Sequence, residues 1–427
     1  MRKIKKFIKK RKKKFFSFAK RSSQKNVVSR KLYRWTYDLY HRIKFNWRGR
    51  GVETDDKTFV FSTFQGKSFA DNPKAIYLYL ISNPEFKDYK FIWAFKKPKK
   101  YAFLKEYPNT SVVKICSKKY EKALHSAKYW ITNHRLKEYI YPNDKHFYLQ
   151  CWHGTPLKRL GFDLDKLNNA INSVNDMKNK YRIEAKKLSA MVSPSAFSTE
   201  KFISSFNLKA FGKENSVFEC GYPRNDFMYN YTEQDVQSIK EKLGIENVNK
   251  KIILYAPTWR DNQHVAGKGY TYKSEVDFDK LQKELQDDYI ILFRAHYFVS
   301  NSFDFEKYEG FIYNVSKYDD INELYVISDM LITDYSSVFF DYSNLKRPIL
   351  FYMYDLEAYR DDIRGFYIDL EELPGNILKT EEEVVEEIKR ISREWVYDEK
   401  YKKFNDTYTY LDDGKASERV IKLMFSK

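Results

Sequence analysis

Short apolar, β-rich runs alternate with amphipathic helical stretches from Lys57 to Asp355, which restricts the chain to folds where strands are covered by helices. "KTFVFSTF" (57–64) reads as a strand, "NPKAIYLYLISN" as a helix, "YKFIWAF" as a strand, "KYEKALHSAKY" as a helix and "WITN" as a strand. "FYLQCWHG" ends in a loop, and "LSAMVSPSAFSTEKFISSF" is strand, Ser-rich turn and helix. After "GYPRNDFM" (Gly221–Met228) and a polar helix the pattern restarts with the strand "KIILYAPTWRDN" and a glycine-containing loop. The helix "DFDKLQKELQ", the strand "YIILFRAH", the helix "DINELYVISD", the strand "MLITD", the helix "SSVFFDYSNLK" and the strand "RPILFYMYD" complete it. The expected fold class is α/β: two Rossmann-like halves, residues 51–222 and 223–427, facing a cleft, behind a basic arm, residues 1–50.

With 427 residues, 43% of them hydrophobic, the chain has enough material for two cores. Cys116, Cys151 and Cys220 are odd in number and far apart, which argues against a disulfide framework or a zinc cluster and for a reducing compartment. The net charge of +19 resembles a nucleic-acid signal until it is located. Residues 1–50 hold 20 Lys and Arg against the single acid Asp38, and the remaining 57 bases balance 57 acids. In "MRKIKKFIKKRKKKFFSFAKR" apolar residues interrupt the lysines, without the continuous apolar core of a signal peptide or a membrane span. Such an arm suits an anionic membrane surface, where each basic residue adds on the order of 1 kcal/mol. No RNP or zinc pattern accompanies it, so nucleic acid is not an expected partner.

Ligands bind α/β sheets at the C-terminal ends of strands, and five polar motifs fall there: "CWHGT", "SPSAFS", "APTWRD", "FRAH" and "ITDYSS". Ser336 and Ser337 open a helix, a place for capping or for a phosphate. Arg294, Arg260 and Lys158 are candidate cations for a diphosphate. Arg294 and His296, two apart on a strand, share one face, which favours a phosphate role for both. His153 is the candidate general base, with Gly154 allowing close approach. His41, His125, His134, His146 and His264 have no comparable surroundings. No P-loop or dinucleotide fingerprint is present, and the "DLD" (163–165) and "DFD" (277–279) runs read as solvated stretches rather than metal sites. No metal or cofactor is expected.

"CWHGTPLKRLG", "SPSAFSTEKF", "GYPRND", "ILYAPTWRD", "FRAH" and the block from "ISDMLITDYSS" to "RGFY", with "FSTFQGKSFADNPKAIYLYL" (61–80) upstream, resemble in order the motifs of the CDP-glycerol glycerophosphotransferase family of teichoic acid synthesis. The resemblance covers residues 58–370 and implies a glycosyltransferase-B-like fold and an enzyme peripheral to the cytoplasmic face of the membrane. It implies a CDP-polyol donor, held mainly by the second half, and a lipid-linked saccharide or polyol-phosphate acceptor. His153 is then the base, His296 works at the donor phosphates, and Thr333, Ser336 and Ser337 bind the diphosphate. With these, Asp334, Gly154, Thr155, Lys158, Arg260 and Arg294 make up the expected substrate-binding set. Tyr297 stands where the family often has proline, and no fused glycosyltransferase domain identifies the acceptor. A CDP-ribitol transferase, a nucleotide-sugar glycosyltransferase of the same fold and a non-catalytic polymer- or membrane-binding protein are the alternatives.

Overall fold

The computed structural model describes residues 27–166, 173–258, 264–265, 269–270, 276–295, 303–357 and 365–426. Residues 1–26 of the basic arm, Arg260, His296 and Tyr297 lie outside them. The first half is a seven-stranded parallel sheet of β1 (Asp55–Ser62), β2 (Lys90–Phe95), β3 (Thr110–Lys114), β4 (Ala127–Thr132), β5 (Phe147–Gln150), β6 (Ala190–Ser193) and β7 (Val217–Glu219), in the order β3-β2-β1-β4-β5-β6-β7. The second half begins with β8 (Lys251–Ala256) and a small hairpin of β9 (His264–Val265) and β10 (Gly269–Tyr270). It continues with β11 (Tyr289–Phe293), β12 (Ile312–Asn314), β13 (Met330–Thr333), β14 (Ile349–Tyr352) and β15 (Ile377–Leu378), in the order β12-β11-β8-β13-β14-β15. Both sheets are parallel throughout, as two doubly wound halves require.

Burial on both faces explains why the strands read as apolar runs instead of alternating ones. On one face of the first sheet Phe59, Phe61 and Trp93 pack against Ile76, Tyr77 and Leu80 of the helix Asp71–Ser82. On the other, Val60, Ala94 and Trp130 meet Tyr120 and Leu124 of the helix Lys118–Ser126. In the second sheet Leu254, Leu292 and Leu331 face one helical layer, and Ile253, Ile291 and Ile332 face the other. Four edge or near-edge strands, β3, β7, β12 and β15, were not expected; they are two to five residues long and partly exposed.

The halves do not divide cleanly at Tyr222. Val420, Ile421 and Met424 of the last helix, Ala416–Phe425, enter the core of the first sheet beside Ile76 and Leu80. The preceding helix, Glu399–Tyr408, stays with the second half through Tyr401, Phe404 and Tyr408. The chain therefore crosses the cleft twice.

The part of the arm that is described is the helix Val27–Gly49. Phe45 is buried against the first half, the Phe45 carbonyl meets His125 Nε2 at 2.9 Å, Arg34 pairs with Asp176 at 2.8 Å, and Arg48 pairs with Glu121. On the opposite side Leu32, Trp35, Leu39, Ile43 and Trp47 recur at helical spacing and are all exposed, Trp35 and Trp47 by 62% and 65%. Among the described residues no helix is long and apolar enough to cross a membrane.

Candidate active site

The loop after β5 and the loop after β13 meet across the cleft. Trp152 takes a positive φ of 50° and buries its ring beside Tyr181, Phe202 and Phe206, turning the next residue, His153, toward the cleft. His153 Nδ1 lies 2.9 Å from the Asn133 carbonyl. A carbonyl only accepts, so Nδ1 carries the proton and Nε2 of the neutral ring is left with a free lone pair. The side chain is exposed at the mouth of the cleft, and its ring is partly enclosed by those of Trp152 and Phe64, whose centres lie 4.4 and 6.3 Å away. That enclosure, first, and the charges of Arg224 and Arg135 hold its pKa below the ordinary 6.5, the Asn133 carbonyl opposing; the exposure limits the size of the shift, not its direction. His153 is thus kept neutral at working pH.

Gly154 follows at φ +153°, and a Cβ placed there would stand 2.7 Å from Ser337 Oγ. The positive φ favours glycine, and any larger residue would turn the Ser337 hydroxyl aside. Trp152 to Lys158, Leu160 and Tyr335 to Ser337 line a cavity of about 250 Å³. Thr155 is buried in its wall and Lys158 contributes to its rim. The junction is held by main chain: Arg159 N–H donates to the Gly365 carbonyl at 3.1 Å, Tyr367 N–H donates to the Leu157 carbonyl at 2.9 Å, and Lys158 bridges Phe366 antiparallel. The Tyr367 hydroxyl accepts from Leu160 N–H at 3.0 Å and donates to Asp163 at 2.5 Å. The CWHGTPLKRLG and RGFY motifs are therefore neighbours in space.

The helix that Ser336 and Ser337 open is short, Val338–Tyr342 followed by a 3₁₀ turn. Ser337 sits at its N-cap with no side-chain capping bond, so capping does not account for the serine. A helix this short contributes little dipole, and hydroxyls with backbone N–H groups are what it can offer an anion.

Two expected ligands are placed behind the wall. Thr333 is wholly buried, its hydroxyl donating to the Ala256 carbonyl at 2.8 Å, because β13 is covered on both faces. Asp334 is also buried and accepts the Thr258 N–H at 2.7 Å; a carboxylate fixed this way braces the loop after β8 and would repel a phosphate. Arg294 turns its guanidinium onto the Val315 and Tyr318 carbonyls, at 3.2 and 2.8 Å, and is not among the described residues lining the cavity. It clamps the loop leading to the helix Ile321–Ile327. His296 and Arg260 are outside the described residues. In "SPSAFS" Ser195 caps the helix Ala196–Ser205, so this motif is architectural.

The carboxylates of both DxD runs are engaged by the protein itself. Asp163 accepts from Tyr367 and Ser204, Asp165 pairs with Arg159, Asp277 caps the helix Phe278–Leu285 and Asp279 pairs with Lys307. No group of three His, Cys, Asp or Glu able to hold a metal occurs among the described residues.

Sequence reasoning missed Asn133, His134 and Arg224. Asn133 orients the base through its carbonyl and accepts the Phe64 N–H on its side-chain oxygen at 2.8 Å. His134, with Nε2 3.1 Å from the Ser62 hydroxyl, has its pKa pushed down to about 4 by burial first, His153 adding, and stays neutral behind the base. Their signal was the place of "TNH" at the end of β4, next to β5 in the sheet. A larger cavity of about 980 Å³ lies beyond Arg224, lined by Phe69, Phe103, Lys74, Asp320 and Glu323 among others; the base and the serines do not reach it.

The profile of the family described as CDP-glycerol:poly(glycerophosphate) glycerophosphotransferase matches residues 43–426. The chain is 42% identical over 369 residues to the teichoic acid poly(glycerol phosphate) polymerase of Bacillus spizizenii (strain W23), covering 86% of this chain and 91% of that protein. It is 40% identical to the polymerase of the same description from Bacillus subtilis (strain 168), covering 99% of this chain but only 55% of that longer protein. Among solved structures, that of the wall teichoic acid polymerase TagF superposes with a TM-score of 0.82 at 36% identity, covering 96% of this chain and 97% of the other.

Proposed function

The chain belongs to the CDP-glycerol:poly(glycerophosphate) glycerophosphotransferase family, and from that premise we propose that it transfers glycerol phosphate from CDP-glycerol to a hydroxyl of a lipid-linked or polymeric acceptor in teichoic acid synthesis, releasing CMP. The observation that carries this reading is the meeting of His153 and Gly154 from one half with Ser337 from the other around one cavity.

The acceptor oxygen attacks the β-phosphorus, its proton passes to His153 Nε2, and the bond from that phosphorus to the bridging oxygen breaks as CMP departs with the electron pair. Charge spreads over the phosphoryl oxygens in such a transition state, so fixed donors supply most of the acceleration. Ser336, Ser337, the N–H groups at the helix start, Gly154, Thr155 and Lys158 are the donors assigned here, joined by His296 and Arg260. Arg294 acts one step removed, by holding the 315–318 loop. A neutral imidazole with a lowered pKa is a weak base but an available one.

The arm places the enzyme peripherally on the cytoplasmic leaflet. Twenty basic residues in positions 1–50 and the exposed Leu32, Trp35, Leu39, Ile43 and Trp47 face support that reading: apolar side chains enter the headgroup layer while the flanking cations meet anionic lipid. Holding enzyme and lipid-linked acceptor on one surface raises their effective concentration.

The test is to incubate the purified protein with CDP-glycerol, CDP-ribitol or UDP-sugars and a defined lipid-linked acceptor, measuring the nucleotide released and the product mass. CMP with a mass increase of one or more glycerol phosphate units is expected. UDP release, or ribitol transfer in preference to glycerol transfer, would overturn the assignment.

A further inference from the structure

Arg224 lies in the turn Pro223–Asn225 that joins the two halves, with its side chain 4% exposed. Its Nη1 donates to Asp71 of the first half at 3.0 Å, and its Nη2 donates to both carboxylate oxygens of Asp341 of the second half at 2.9 and 2.8 Å. Each of these contacts leads directly to the candidate active site. Asp341 lies in the short helix that Ser337 opens. Asp71 begins the helix Asp71–Ser82 at φ +65°, a backbone conformation that a non-glycine residue keeps only when its surroundings hold it. The adjacent Asn72 accepts the Arg224 N–H on its side-chain oxygen at 3.0 Å and donates to the Cys151 carbonyl at 3.2 Å, two residues before His153. Asn322 of the second half closes the frame by donating to the Arg224 carbonyl at 3.0 Å. Arg224 Nη2 would stand 3.8 Å from a Cβ on Gly154, so the guanidinium forms the back wall of the His153 turn.

Neither the base nor the phosphate donors include this arginine. We propose that Arg224 is a positioning residue for the transfer reaction: by gripping Asp71 and Asp341 at once it sets the distance between the His153 turn and the Ser336–Ser337 helix start. The proposal rests on the functional reading above for the identity of the reaction, but not for the geometry. A planar fork suits the task because one guanidinium holds two carboxylates in fixed directions, whereas an ammonium is a point charge that sets no such plane. Burial raises the pKa of both Asp71 and Asp341, and the arginine charge opposes this, so removing it leaves two acids facing each other across the hinge. Among the described residues the Nε of Arg224 has no hydrogen-bond partner, as in a side chain aimed by its two terminal nitrogens.

The experiment has two readouts on the full chain. Steady-state CMP release from CDP-glycerol is measured for Arg224→Lys, which keeps the charge but loses the fork. Spin-label distances between Lys105→Cys and Lys283→Cys, one exposed site in each half, are measured with and without Arg224→Gln in a Cys116→Ser background, Cys151 and Cys220 being buried. An error of about 1 Å between reacting groups costs roughly 100-fold in rate, so kcat of Arg224→Lys is expected to fall by about that factor while KM for CDP-glycerol stays within about threefold. The distance distribution is expected to broaden in Arg224→Gln. A kcat near the wild-type value, or a distribution as narrow as that of the parent, overturns the proposal. If Arg224→Gln does not fold, Asp341→Asn, which removes one anchor, is read the same way. If the wild type transfers nothing from CDP-glycerol yet the distribution broadens, the functional reading fails and the positioning role stands.

Discussion

Replacing Gly154 by alanine tests the contact on which the site depends. The added carbon would lie 2.7 Å from Ser337 Oγ but 3.5 Å from Ser337 Cβ, so the hydroxyl must rotate away while the two loops can keep their places. A side chain at φ +153° also strains the backbone by roughly 1–3 kcal/mol, enough to lower the melting temperature by a few degrees. Turning the Ser337 hydroxyl out of place removes one donor to the phosphate, about 1–3 kcal/mol for a hydrogen bond to a charged group, which predicts a loss of turnover of about 10- to 100-fold, measured as CMP release. The partner variant makes the argument specific. In a Ser337→Ala background the clashing oxygen is gone, so Gly154→Ala should cost less there, with a coupling of about 0.5–3 kcal/mol in the double-mutant cycle. Turnover within about threefold of wild type, or strict additivity of the two substitutions, would refute the account of the glycine.

His153→Ala is expected to abolish turnover while retaining CDP-glycerol binding by calorimetry; retained turnover rejects the base. Because its lowered pKa keeps His153 neutral further into acid, the acid limb of kcat/KM should fall below the ordinary histidine value of 6.5, activity being lost as pH drops through it. Burial first, then the charges of Arg224 and Arg135, press the pKa down against the Asn133 carbonyl, so a limb at or above 6.5 contradicts the electrostatics. Ser336→Ala should weaken donor binding by about 1–3 kcal/mol in the same calorimetry, and unchanged affinity removes Ser336 from the phosphate site. Trp35→Ser with Trp47→Ser should release the protein from anionic vesicles in a sedimentation assay and spare activity on a soluble acceptor; unaltered sedimentation rejects the membrane face.

The order of strands and helices was legible because strands buried on both faces give apolar runs that stand out between helical stretches. The short edge strands β3 and β12 escaped because partial exposure leaves no such run. The meeting of CWHGT and TDYSS could be anticipated, since both follow central strands. The roles of Thr333 and Asp334 could not, because whether the last residue of a strand points into the sheet or the cleft depends on coverage by the other layer, which no local pattern records. Arg224 was invisible for a different reason: its partners Asp71 and Asp341 lie more than a hundred residues away on either side. The same holds for the last helix, whose return to the first half is a property of topology rather than of its own amphipathic pattern.

The most direct test of the central claim is a crystal of the protein soaked with CDP-glycerol. The account predicts the diphosphate in the 250 Å³ cavity, within hydrogen-bonding distance of Ser336 or Ser337, with the β-phosphorus open to the side occupied by His153 Nε2. Phosphates bound instead in the 980 Å³ cavity beside Lys74 and Glu323 would contradict it.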